Sequence, residues 1–195
     1  RMLKMLSRLL PLAFVAACAA PVVLTPPEPV MPVMRWDFRS EGDDWTAATL
    51  AALKTTGTPL LSEVPRDIME WCPGYVTADA DGRAAFWSGV LSALAKHEST
   101  WNPAASGGGG QWIGLTQIAP ATARAYGCNA KTTAALKDGS ANLQCAVRIA
   151  ARTVPRDGYV ASGREGLAAD WAPFLNAAKR ADMVSWTRRQ SYCQG

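Results

Sequence analysis

The segment Gly82–Thr100 constrains this chain more than any other. Phe86, Val90, Leu91, Leu94 and Ala95 recur at three- and four-residue spacing, which is the signature of a helix with a buried apolar face. Asp81 is expected to cap it, and Asn102-Pro103 to stop it, because the residue before a proline leaves the helical region. Glu98 sits in the last turn, four residues after Leu94 and seven after Leu91, near the edge of the buried face. A carboxyl placed there loses water, and desolvation raises its pKa. That is the condition for an acid that must donate a proton near neutral pH, although a solvated helix-end glutamate is the plain alternative.

The other breaks give a series of helices. Asp43 or Asp44 is expected to cap a helix over 45–56 that ends at Gly57. Pro65 opens a short helix to Trp71, stopped by Pro73-Gly74, and Pro120 opens one that ends at Gly127. Ser140 or Asn142 starts a helix to about Thr153, and 170–181 forms another with Pro173 in its first turn. Ser106 to Trp112 is a glycine-rich loop, with room for a small hairpin. No run alternates like a strand, so the expected class is all-α with little or no sheet.

The N-terminus is read differently. Arg1, Lys4 and Arg8 precede a short apolar stretch, Leu9–Ala17, in the plan of a secretory signal; it is too short to span a membrane. Val15-Ala16-Ala17-Cys18 resembles a lipobox, in which Cys18 becomes the lipidated first residue; ordinary cleavage after Ala19 is the alternative. Ala19 in place of Asp points to the outer membrane. The expected organisation is a signal peptide over 1–17, a proline-rich tether over 18–42 and one folded domain over 43–195. Beyond the first eight residues 17 basic side chains face 16 acidic ones, with no basic run, which argues against a nucleic-acid partner.

Export also frames the cysteines. With Cys18 lipidated, Cys72, Cys128, Cys145 and Cys193 remain, an even number with three possible pairings. The expected pairs are Cys128 with Cys145, tying the end of the Pro120 helix to the next helix, and Cys72 with Cys193, fastening the C-terminus to the start of the domain. His97 is the single histidine and no CxxC occurs, so no metal site or cofactor is expected. The four-glycine run is not a phosphate loop, because no Lys-Ser/Thr follows it and no strand precedes it.

After Glu98 come Ser99-Thr100-Trp101-Asn102-Pro103-Ala104-Ala105-Ser106, four glycines, Gly114-Leu115-Thr116-Gln117-Ile118-Ala119-Pro120, Thr122-Ala123 and Tyr126-Gly127. This order of anchors resembles the soluble lytic transglycosylase family of the lysozyme-like superfamily. The resemblance implies a peptidoglycan lytic transglycosylase that acts on glycan strands, with Glu98 as acid and base and with Ser99 and Gln117 lining the saccharide cleft. The residues themselves suggest that Ser99 and Ser106 hold the carboxyl, that the glycines let backbone approach a sugar, and that Gln117 offers donor and acceptor together. Among Trp87, Trp101, Trp112 and Trp171, Trp112 is the best candidate for a sugar platform.

The chain departs from the family at Thr116, where Met is usual, in a longer glycine loop, and near Ala168–Pro173, where the family carries a Tyr and an Asn. Tyr126, Tyr159 or Trp171 could replace that Tyr. Asp170 is either a helix cap or the second carboxylate of a muramidase-type hydrolase. A non-catalytic, glycan-binding envelope lipoprotein is the remaining alternative. The protein is expected to work as a monomer on the periplasmic face of the envelope, touching a membrane only through its lipid.

Overall fold

The computed structural model describes residues 31–194, so the signal segment and Cys18 lie outside the described residues. The helices are α1 (Gly42–Leu53), α2 (Thr58–Ser62), α3 (Ile68–Trp71), α4 (Ala80–Ser99), α5 (Pro120–Ala125), α6 (Thr133–Leu136), α7 (Gly139–Asp157) and α8 (Ala177–Arg188). Two antiparallel hairpins interrupt them: β1 (Ser106–Gly107) with β2 (Trp112–Ile113), and β3 (Ala161–Ser162) with β4 (Glu165–Gly166). The expected all-α architecture with a hairpin in the glycine loop is therefore present. None of the described helices is long and apolar enough to cross a membrane.

The periodic segment becomes α4, but it is buried all round from Ala84 to Ala95, not on one face. The reason lies in its neighbours: α1, α2, α8 and the C-terminal turn at Ser191–Cys193 all pack on it. Small residues permit this, since Ala84, Ala85, Ser88, Gly89, Ser92 and Ala93 fill the sides that the larger apolar residues leave. The cap is Asp79, whose Oδ1 accepts from the Gly82 amide at 2.8 Å. Asp81 lies inside the first turn and pairs with Lys54 at 2.7 Å.

The same inward displacement occurs in α1, where Asp43 and Asp44 occupy the first turn and cap nothing. A carboxylate there still favours the helix by facing the positive end of its dipole. In α7 the cap is Asp138, ahead of Ser140 and Asn142, and the helix runs past Thr153 and Pro155 to Gly158 in the left-handed region. The helix expected from Asp170 does not form. Instead 167–175 holds two short 3-10 turns, and Asn176 caps α8 by accepting from the Lys179 amide.

Packing begins before the expected boundary at 43. Met34 is 3% exposed and Trp36 fully buried, with its indole donating to Thr46 Oγ1 at 2.8 Å, so the end of the segment assigned to the tether belongs to the core. Both disulfides form as expected, Cys72–Cys193 and Cys128–Cys145. The second reaches past α6 to α7. In the chain-entropy account these closures contribute about 5 and about 3 kcal/mol respectively.

Candidate active site

Helix α4 ends at Ser99 because Thr100 and then Trp101 turn left-handed, at φ 52° and 55°. Non-glycine residues rarely adopt that conformation, and a third, Gln117 at φ 50°, stands at the far end of the same strip. Such strain persists only where surroundings enforce it, and here all three positions flank Glu98 and the hairpin.

Asn142 of α7 anchors the segment that leads into Gln117. Its amide is buried and donates to the carbonyls of Ile113 and Leu136 at 2.9 and 3.0 Å, while its oxygen accepts from the amide and hydroxyl of Thr116 at 3.0 and 2.7 Å. Every hydrogen-bonding position of the side chain is used. Thr116, which stands where the resembling family has Met, is thus a hydrogen-bonded part of the floor. Gly114, at φ +80°, has no space for a Cβ, which would strike the Leu136 carbonyl and Asn142.

A cleft of about 440 Å³ opens beside this strip, lined by Glu98, Trp112, Gln117, Asp170, Trp171 and Lys179 among others. Burial pushes the Glu98 carboxyl up to about 7, against the opposing pull of the Lys179 ammonium. Trp112 is 48% exposed, the one cleft aromatic offered to solvent. Gln117 donates from Nε2 to the Gly114 carbonyl at 2.9 Å, and its Oε1 lies against Gly107. Gly107 and Gly108 therefore make room for the side chains of Gln117 and Trp112. Of the four glycines 107–110, only Gly109 and Gly110, at the hairpin tip, have open space beside them for another molecule.

Several expected roles change. The Ser99 hydroxyl donates to the Leu115 and Ala95 carbonyls, at 2.8 and 3.2 Å, and so fastens α4 to the strip without touching the acid. Ser106 is exposed on β1 and makes no side-chain hydrogen bond. Neither serine lines the cleft. Trp87 is in the core, with its indole on the Tyr75 hydroxyl, and Trp101 donates to the Ser92 carbonyl. His97 borders the cleft, but its Nε2 lies 2.8 Å from Asp182 of α8, which also pairs with Arg35 and Lys96. That cluster joins α4 to α8.

Of the candidates for the absent Tyr, only Trp171 stands in the far wall. Trp171 is buried and donates to the Thr116 carbonyl at 2.9 Å, clipping the 167–175 turns to the strip. Tyr126 stands outside the cleft, and its hydroxyl donates to the Asp170 carboxylate at 3.2 and 3.3 Å. Partial burial raises the Asp170 pKa, opposed by that hydrogen bond. Tyr159 accepts from Arg66, away from the cleft. Sequence reasoning missed Asn142 as the anchor of the strip and Lys179 as a cleft cation; only their spatial neighbours give them meaning. No group of three or more metal-ligating side chains gathers among the described residues.

The profile of the transglycosylase SLT domain family matches residues 76–156, which hold α4, the hairpin and most of α7. A mutant of DslA is 30% identical with a TM-score of 0.78, and wild-type DslA is 30% identical with a TM-score of 0.77; each alignment covers 85% of this chain and 100% of the other. A comparison with curated protein sequences gives no match. With the acid, the glycine hairpin and the Gly-Leu-Thr-Gln strip assembled around one cleft, the chain belongs to the transglycosylase SLT domain family and is a peptidoglycan lytic transglycosylase.

Proposed function

We propose that the enzyme cleaves the β-1,4 bond from N-acetylmuramic acid to N-acetylglucosamine, with Glu98 as its sole acid and base. The observation that carries this reading is the placement of Glu98: a desolvated carboxyl lining the same cleft as Trp112 and Gln117. Its protonated form donates to the bridging oxygen, the C1–O bond breaks, and positive charge develops on the muramic ring. The resulting carboxylate takes the proton of that sugar's C6 hydroxyl, whose oxygen closes on C1 and leaves a 1,6-anhydro ring. Intramolecular attack has a high effective molarity, so no water, metal or cofactor enters the scheme. Trp112 carries a sugar face and Gln117 reads an amide or hydroxyl.

Glu98→Gln tests the assignment. It keeps size and hydrogen bonding but has no proton to give, so activity on purified peptidoglycan falls by about 100-fold or more with the fold intact. Retention of more than about a tenth of wild-type cleavage, far outside that range, contradicts it.

A second reading has one specific observation behind it: Asp170 lines the same cleft. As a second carboxylate it would activate water and give a muramidase. Its hydrogen bond from Tyr126 at the rim favours a wall-building role instead.

For the regions before Met34 the proposal rests on sequence alone: a signal peptide over 1–17, lipid on Cys18, a proline-rich tether, and a monomer held at the periplasmic face of the outer membrane. Cys18→Ser should leave the membrane fraction; a form that stays membrane-bound without lipid refutes the anchor.

A further inference from the structure

Beyond the Asp170 wall lies a second, shallow pocket of about 480 Å³, lined by Ala125, Tyr126, Arg152 and Arg156. The two hollows share one partition, the hydrogen-bonded pair of Tyr126 and Asp170: Asp170 faces the cleft and Tyr126 faces the pocket. The carboxylates near this pocket are already engaged. Asp170 accepts from Tyr126, and Asp157 takes Arg156 in a two-pronged pair, Nε to Oδ1 and Nη2 to Oδ2, both 2.7 Å. Arg152 is different. Its guanidinium lies 6.0 Å from the Tyr126 ring centroid, and among the described residues it has no ion pair and no hydrogen bond.

Arg152 also stands between Arg148 and Arg156, at four-residue steps along α7. Like charges at that spacing weaken a helix, and an anion bridging them removes the penalty. A guanidinium beside an aromatic ring and free of other partners presents a planar fork that fits a carboxylate.

We propose that Arg152, beside the Tyr126 ring and the Arg156–Asp157 pair, binds a carboxylate of the acidic peptide borne by the glycan strand in the cleft. The inference rests on the glycan-cleaving reading above, because only a strand passing Asp170 brings its peptide over the Tyr126 partition. It makes the pocket a specificity site for strands that still carry peptide.

Steady-state cleavage is measured on two soluble substrates: glycan strands bearing tetrapeptides, and the same strands stripped of peptide by an amidase. Arg152→Ala is expected to raise KM about five- to tenfold on the peptide-bearing strands, with kcat held, and to leave the stripped strands unchanged. Arg152→Lys, which keeps the charge without the fork, falls between. The effect should fade as salt is added. Equal changes on both substrates, or none on either, overturn the inference while leaving the glycan-cleaving reading in place. A wild type that cleaves neither substrate refutes that reading and this inference with it.

Discussion

The cleft lining comes mostly from two stretches, a near side within 97–122 and a far side, 170–179, that runs from the 3-10 turns into the first turn of α8. The near side places Glu98, Trp112 and Gln117 mostly by local means, a left-handed helix end and a hairpin whose glycines seat the neighbouring side chains, with one long-range anchor in the buried amide of Asn142. The far side has no such local frame. Its 3-10 turns are fixed by individual side-chain hydrogen bonds over long sequence distances, Trp171 to the Thr116 carbonyl and Tyr126 to Asp170. The near side accordingly carries the groups that must meet the reacting bond, and the far side supplies charges, Lys179 and Asp170, that adjust the acid and border the substrate.

That contrast can be broken on the near side first. Trp112→Ala removes an exposed ring that supports no other part of the core, so the fold should hold while KM for glycan strands rises about tenfold, the worth of one good stacking contact. Steady-state kinetics at fixed enzyme concentration read it. An unchanged KM would mean that the hairpin does not touch sugar, and the division of labour between the walls would have to be redrawn.

The far side should yield a smaller, pH-dependent effect. Glu98 must start protonated, so activity is expected to fall as pH rises through about 7, where its raised pKa places the alkaline limb. The Lys179 ammonium favours the ionised form and holds that limb down. Lys179→Met should therefore move the limb to higher pH. A limb that stays in place would show that the far wall has no hold on the acid.

The sequence was informative where structure is local. The periodicity of 82–100 located the central helix, the glycines located a hairpin, and the run to Gln117 held one cleft wall. Four cysteines left in a chain read as exported pointed to the two disulfides. What stayed hidden depends on partners distant in sequence. Asp79, Asp81, Asp43 and Asp44 are equivalent as capping residues, and only where the chain enters the helix decides between them. The burial of α4 on all sides, and of Met34 and Trp36, follows from what packs on them. Asp170 looked like a cap because Pro173 follows it, but Asn176 captures the helix start and leaves Asp170 on the cleft rim. Tyr126 likewise looked like a cleft residue, whereas it faces the neighbouring pocket.

The central claim is that one carboxyl, Glu98, does both proton transfers and the sugar's own C6 hydroxyl attacks. Mass spectrometry of wild-type digests of purified sacculi tests it most directly. The account predicts muropeptides ending in 1,6-anhydromuramic acid, each lighter by one water than its hydrolytic counterpart. Products with mainly reducing ends, together with loss of activity in Asp170→Asn, would contradict it and make Asp170 the second carboxylate of a hydrolase.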